Sequence, residues 1–224
     1  MQLWRKAGRV AGYRPVVPLP PDGRRAEEAR ATRAAIIASA RRLFAEQGYF
    51  ATKVEEIARV AGVAPATVYA VCGGKQGLVS SLVEQWPSAP EVLRVLSEIA
   101  RAASVEQVIE QLSDAVHRGR ADWGDIARFV LTTAPHDAAV AEGLALAQQR
   151  YLAALATCAE RVVHVHGGGD VEEVTLVLWF HFGFRAFAAL VQDFGWEPDR
   201  AQVWLAGKAL AAVLDCLPQN ASGR

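Results

Sequence analysis

The chain has 224 residues, with 24 Lys/Arg balanced by 24 Asp/Glu, enough for one or two domains around a sizeable core. Its three cysteines, Cys72, Cys158 and Cys216, are far apart and form no CxxC pair, which excludes a disulfide framework and a cysteine-based zinc site and fits a reducing cytoplasm. The zero net charge conceals a split: residues 1–75 carry 13 basic and 6 acidic side chains and the rest 11 and 18, the pattern of a nucleic-acid-facing module joined to a domain of another kind.

The first ten residues, MQLWRKAGRV, are basic with no apolar run behind them, so no signal peptide is expected and the cytoplasm is the expected location. Residues 1–26 form a basic, proline-rich arm. Pro15, Pro18, Pro20 and Pro21 favour extended polyproline geometry and exclude a helix there. Two readings stay open for the arm: a disordered leader, or a strap that tracks phosphates or enters the minor groove.

Helical periodicity predicts a first helix over about 27–46, with Ile36, Ile37, Ala40, Leu43 and Phe44 inward. Arg33, Arg41 and Arg42 fall outside that stripe, where solvated surface and phosphate contact are both open. In the next stretch Thr52 followed by Glu55 is a capping-box signature, and Val54, Ile57, Ala58 and Ala61 make one apolar face behind it. Gly62 supplies the left-handed residue that ends a helix, and Pro65 is pre-set for the first turn of another. Short helices over about 53–61 and 65–71, joined by a glycine turn, make a helix-turn-helix, whose second helix is built for the DNA major groove. The same spacing also describes an ordinary helical hairpin in an all-α core. Gly73-Gly74 then turns the chain into a fourth helix over about 75–85, with Leu78, Leu82 and Val83 as core.

Ile36, Ala40, Leu43, Phe44, Gly48-Tyr49, Thr52, Ile57, Ala58, Ala61-Gly62-Val63, Thr67-Val68-Tyr69, Lys75 and Leu78 stand in one register between Thr32 and Leu82. Over that span the chain resembles the DNA-binding domain of TetR-family transcriptional regulators. The resemblance implies a homodimeric repressor released from a palindromic double-stranded operator by a small-molecule effector. It makes Arg33, Thr52, Lys53, Pro65, Ala66, Thr67, Tyr69, Ala70 and Lys75 the candidate DNA-binding residues. Tyr69 and Lys75 match positions that in the family touch backbone phosphates, and the helix start at Thr52 and Lys53 suits a phosphate.

The recognition helix departs from the family. Ala64 replaces the usual serine cap, which forfeits about 1 kcal/mol, and Cys72 stands where an aromatic is common, which thins the small core unless a neighbour fills in. Ala66, Thr67 and Ala70 are expected to face outward, and none can make the bidentate bonds that Arg, Asn or Gln make to bases. The expected readout is therefore thymine-methyl contact, DNA shape and the arm.

The remainder reads as successive amphipathic helices. Ser88 with Glu91 and Ser104 with Gln107 are capping boxes that open helices near 89–102 and 105–118, and Gly119 and Gly124 bracket a restart near Asp122 that runs to about Thr133. A long helix over 137–163 leads to the loop HVHGGGD, Asp170 with Glu173 opens an apolar helix over 171–193, and Pro198 starts a last helix ending near Leu217. The expected fold is all-α, about nine helices: a helix-turn-helix head over 27–85, a helical ligand-binding and dimerisation domain over 86–217, and a disordered tail over 218–224.

The helix over 171–193 is apolar nearly all round and must be covered on both sides. Its segment 174–191 approaches membrane-spanning length, but His181, Gly183 and Arg185 favour a buried or interface helix, and no membrane partner is expected. A homodimer covers one face, with Val174, Leu178, His181, Arg185, Val203, Trp204, Gly207, Leu210, Ala211 and Leu214 as candidate interface residues. Trp123, Phe129, Gln148, Tyr151, Trp179, Phe180 and Phe184 are candidate ligand-binding residues for a mostly apolar effector; an aromatic stripe at this spacing is more often plain core. No enzyme is expected. His166-Gly167-Gly168-Gly169 imitates an esterase oxyanion loop, but no GxSxG and no strand accompany it. His164 and His166 lack a third metal ligand, so no metal and no cofactor are expected. The alternative function is a dimer whose weakened head serves as a protein-interaction module.

Overall fold

The computed structural model describes residues 23–85 and 90–219, and these are helical, with no strand among them. The arm predicted over 1–26 falls almost wholly outside the described residues, as do Ser88 of one predicted capping box and the end of the tail. Helix α1 (Gly23–Gln47) is followed by α2 (Val54–Ala61), α3 (Pro65–Cys72) and α4 (Gly74–Gln85), which form the head. The body comprises α5 (Pro90–Ile99), α6 (Val105–Thr133), α7 (Ala138–His166), α8 (Val171–Phe182), α9 (Phe184–Ala188) and α10 (Pro198–Cys216).

Ile36, Ile37, Ala40, Leu43 and Phe44 of α1 bury against Val54, Ile57 and Ala58 of α2, Val68 and Cys72 of α3, and Leu78 and Leu82 of α4. Cys72 is buried among them despite its missing aromatic ring. The same apolar cluster takes in Ile126, Phe129 and Val130 of α6 and Val140 and Ala147 of α7, so the head's core runs on into the body. A second cluster joins α5, α6, α7, α8 and α10.

Two predicted boundaries are corrected. Gly119 and Gly124 do not divide α6, which runs unbroken for 29 residues; an interior glycine costs only about 1 kcal/mol, less than the packing of the helix on both sides supplies. The predicted helix over 171–193 is interrupted at Gly183, whose ψ of 154° is extended. Beyond it α9 is one turn long, and the chain passes through a π turn over Ala189–Asp193. Val171–Asp193 is long and apolar enough to cross a membrane, with mean hydropathy 1.7, yet Val174, Leu178 and Phe182 are buried against the body.

The caps differ in detail. Ser104 accepts from the Gln107 amide, but the Gln107 side chain returns to the amide of Ala103, not of Ser104. Asp170 caps α8 through the amide of Glu172, without Glu173. Asp137 caps α7 through Val140.

Candidate nucleic-acid interface

The turn between α2 and α3 is set by Gly62, at φ +69°, a region open to glycine and strained for other residues. Its amide returns to the carbonyls of Ala58 and Arg59, which ends α2 and lets Pro65 begin α3. Ala64 is extended and offers no side-chain cap, as its composition requires. Along α3, Val68 and Cys72 point into the head core, whereas Pro65, Ala66, Tyr69 and Ala70 are exposed and Thr67 is half-buried. The outward face is thus methyl groups, one hydroxyl and one phenol. The Tyr69 ring, 57 % exposed, lies against Gly74, where an added Cβ would come within 2.9 Å of it. The ring is held beside the turn into α4.

Three candidate DNA-binding side chains are engaged inside the head. Thr52 is 1 % exposed. Its hydroxyl donates to the Gly48 carbonyl at 2.8 Å, Lys53 occupies the N-cap position of α2, and the capping box with Glu55 does not form. Glu56 instead accepts from the Gln47 side chain at 2.7 Å. The Arg33 guanidinium donates to the Val71 carbonyl at 2.9 Å and to the Ser81 hydroxyl at 2.8 Å, stitching α1 to α3 and α4. Lys75 donates to the Tyr49 carbonyl at 2.6 Å with its ammonium 4.1 Å from the Tyr49 ring centre. Burial pushes Lys75 down from the ordinary lysine range against the pull of Asp137, and burial together with Asp137 pushes Tyr49 up to about 12. These partners lie 26 to 48 positions away in the chain, beyond any short-range pattern. Lys53 is exposed at the start of α2 and makes no ion pair among the described residues.

Elsewhere the predicted sets divide. Phe129 is stacked on Phe44, centroids 5.1 Å apart, and Trp123 lies 4.8 Å beneath the Arg41 guanidinium, so both sit at the joint of head and body. Tyr151 and Trp179, both half-buried, meet at 5.8 Å in the body, and the Tyr151 hydroxyl donates to the Phe182 carbonyl at 3.1 Å. Phe180 is 70 % exposed, Phe184 and Gln148 are half-buried, and the seven residues do not enclose one cavity. Of the predicted interface set, Val174 and Leu178 are buried in their own chain and cannot face a partner. Val203, Trp204, Gly207, Ala211 and Leu214 do line the outer side of α10, with Leu210 and His181 half-buried and Arg185 exposed. Leu176 and Phe180 of α8 join them in place of Val174 and Leu178. An open groove of about 470 Å³ runs along this face between Phe180, His181, Trp204, Lys208 and Ala211. The half-period offset between positions 174/178 and 176/180 was the only sequence signal for it, and an all-apolar helix obscures that signal.

Residues 36–82 match the model of the bacterial regulatory proteins of the TetR family. Over that stretch the head is similar to a TetR-family DNA-binding domain. No curated relative matches it, but its fold is that of several solved structures. A putative TetR-family transcriptional regulator from Mesorhizobium loti is 21% identical, with 87% of this chain and 96% of that one covered at a TM-score of 0.64. The fatty acid degradation regulator FadR from Bacillus halodurans is 18% identical, covering 85% and 97% at 0.65. A putative transcriptional regulator from Saccharomonospora viridis, solved in complex with choline, is 18% identical, covering 80% and 95% at 0.64.

Proposed function

We propose that the protein is a cytoplasmic, non-enzymatic homodimeric repressor that a small, mostly apolar effector releases from a palindromic operator. The observation that carries the dimer is the continuous apolar face of α8 and α10, where Leu176, Phe180, Val203, Trp204 and Leu214 are exposed. Apolar patches of this kind mark an interaction surface, and a two-fold dimer places two recognition helices on two half-sites. The neighbours named for fatty acid degradation and solved with choline support a small-molecule effector for this fold. Operator reading rests on the methyl groups of Ala66, Thr67 and Ala70 and on DNA shape, with Tyr69 and Lys53 on phosphates.

The test is a mobility shift of DNA from upstream of the protein's own gene, followed by a screen for a compound that reverses it. A shift dominated by essential G·C pairs would contradict methyl readout. One observation favours a second reading: Ala66 and Ala70 leave the exposed side of α3 nearly without hydrogen-bonding groups. If a stable dimer shifts no DNA, a head that serves as a protein-interaction module is the better account.

A further inference from the structure

Side chains or carbonyls from α7, α8, α9 and α10 gather around one arginine of α6. The Arg120 guanidinium, from the middle of α6, donates to the Gln202 side chain of α10, to the Phe182 carbonyl at 2.9 Å and to the Gly183 carbonyl at 3.3 Å, and lies 4.3 Å from the Phe187 ring centre of α9. Tyr151 of α7 reaches the same Phe182 carbonyl at 3.1 Å. All its partners are neutral. Among the described residues no carboxylate lies within ion-pair distance, and its Nε has no hydrogen-bond partner. Arg41, the other arginine that crosses between long helices, has Asp125 opposite it.

A half-buried charge without a counter-charge is unfavourable. Burial shows in the group itself, which is pulled down to about 10 from the usual arginine range, with the Tyr151 oxygen opposing. The carbonyls at the end of α8 return part of that cost through the helix dipole. Capping those carbonyls, however, needs only donors and no charge. Gln202 is also committed: its amide donates to the Ser113 carbonyl at 2.9 Å and hydroxyl at 2.8 Å, which fixes the oxygen it turns toward Arg120. The arrangement is a positioned cation, flanked by neutral hydrogen-bonding groups and by the rings of Tyr151, Trp179 and Phe187.

We propose that Arg120 anchors the anionic head of an effector, a carboxylate carrying an apolar body, bound beneath α9. The Nε–H, which has no partner among the described residues, is the donor left for a carboxylate oxygen beside the guanidinium's charge, and the aromatic rings suit an apolar remainder. The cover, Phe184–Asp193, follows the break at Gly183, contains the π turn and has no residue buried within its own chain, features that accompany functional sites. In this proposal the Phe187 ring, 4.3 Å from the guanidinium, moves aside to admit the ligand. The assignment rests on the effector-controlled reading of the body and gives it a chemical class.

The test uses the full-length protein without DNA, so that a failure of operator binding leaves it standing. Octanoate, octanol and octyl phosphate are titrated calorimetrically into the wild type, Arg120→Gln and Arg120→Lys. Octanoate is expected to bind the wild type at least about tenfold more tightly than octanol or octyl phosphate, with that margin lost in Arg120→Gln and partly kept in Arg120→Lys. Thermal melting of Arg120→Gln without ligand is expected at or above the wild-type temperature, because an uncompensated charge has been removed. Octanoate that fails to bind, or binds wild type and Arg120→Gln alike, overturns the proposal. Preference for octyl phosphate overturns the carboxylate assignment, and a lowered melting temperature together with unchanged octanoate binding returns Arg120 to helix capping.

Discussion

Arg41 of α1 and Asp125 of α6 close a two-pronged ion pair, Nε to Oδ2 at 2.8 Å and Nη2 to Oδ1 at 2.7 Å, across the joint of head and body. The same guanidinium donates to the Asp122 carbonyl and covers Trp123, and one turn further along α1 Phe44 stacks on Phe129. α6 thus holds the head from one side, while α4 packs on α7. Replacing either Arg41 or Asp125 with Ala is expected to cost about 1–2 kcal/mol, above the usual exposed pair because the contact is bidentate and partly screened from water. The double variant should cost little more than either single one. Chemical denaturation of all four proteins checks this, and additive losses would show the pair to be uncoupled.

The same pair predicts a pH dependence. Burial pushes Asp125 up, but the Arg41 hydrogen bond and charge and two backbone amides outweigh it and hold the carboxyl below its ordinary 3.8. A depressed carboxylate contributes stability that is present above the unfolded value and fades as pH falls through the folded one. The difference in stability between wild type and Asp125→Asn should hold steady from neutrality to about pH 5 and shrink below about pH 4. A difference that grows on acidification would reverse the sign and refute the assignment.

Much of the head was legible because its evidence is local. The stripe Ile36–Phe44, the turn at Gly62 and Pro65 at the start of α3 each act within a few residues, and the helices fall where the spacing puts them. What failed was competition between local and distant partners. Thr52 carries a capping-box pattern, yet its hydroxyl is taken by Gly48 in the preceding turn. Arg33 and Lys75 look like free cations in the sequence and are bound to carbonyls 38 and 26 positions away. In α6, two glycines resembled a break because the pattern cannot register the tertiary packing that holds the helix through them. The Arg120 cluster was invisible for the same reason, since Phe182 and Gln202 lie 62 and 82 positions from it.

Lys53 and Lys75 separate phosphate binding from structure. Lys53 is exposed and unpaired among the described residues, so Lys53→Ala should weaken DNA binding uniformly across sequences and lower the salt slope by about 0.9 per subunit. Lys75→Ala should lower thermal stability by removing the bond to Tyr49, with little change in slope. A reversed outcome, with Lys75 controlling the slope, would mean that its ammonium leaves Tyr49 when DNA binds.

Gly77 is expected to tolerate no side chain. A Cβ there would stand 1.7 Å from the Cys72 carbonyl oxygen, a backbone atom that cannot move without unwinding the end of α3. Gly77→Ala should cost more than about 3 kcal/mol, at the severe end for single substitutions. Loss of amide-exchange protection is expected in α3 and α4 first, and protection retained there would show that the close approach relaxes cheaply.

The outer face of α8 and α10 supplies the sharpest contrast, because neighbouring apolar residues on one helix are predicted to do different things. Phe180 and Val203, 70 % and 73 % exposed, contribute little to the subunit's own core, whereas Leu178 is fully buried. Phe180→Asp and Val203→Asp place a charge where a second copy is proposed to pack, and the cost of desolvating it appears on association alone. Sedimentation should show monomers for both variants at concentrations where the wild type is dimeric, with helical content unchanged in circular dichroism. Leu178→Ala leaves that outer face intact and opens a void inside, so it should lower subunit stability by about 2–5 kcal/mol. If the dimer forms only with a folded subunit, its dissociation in Leu178→Ala will follow unfolding, while in Phe180→Asp it will precede it. Dimers of undiminished affinity in both aspartate variants would move the interface off this face, and the two recognition helices would then need another geometry to reach a palindrome.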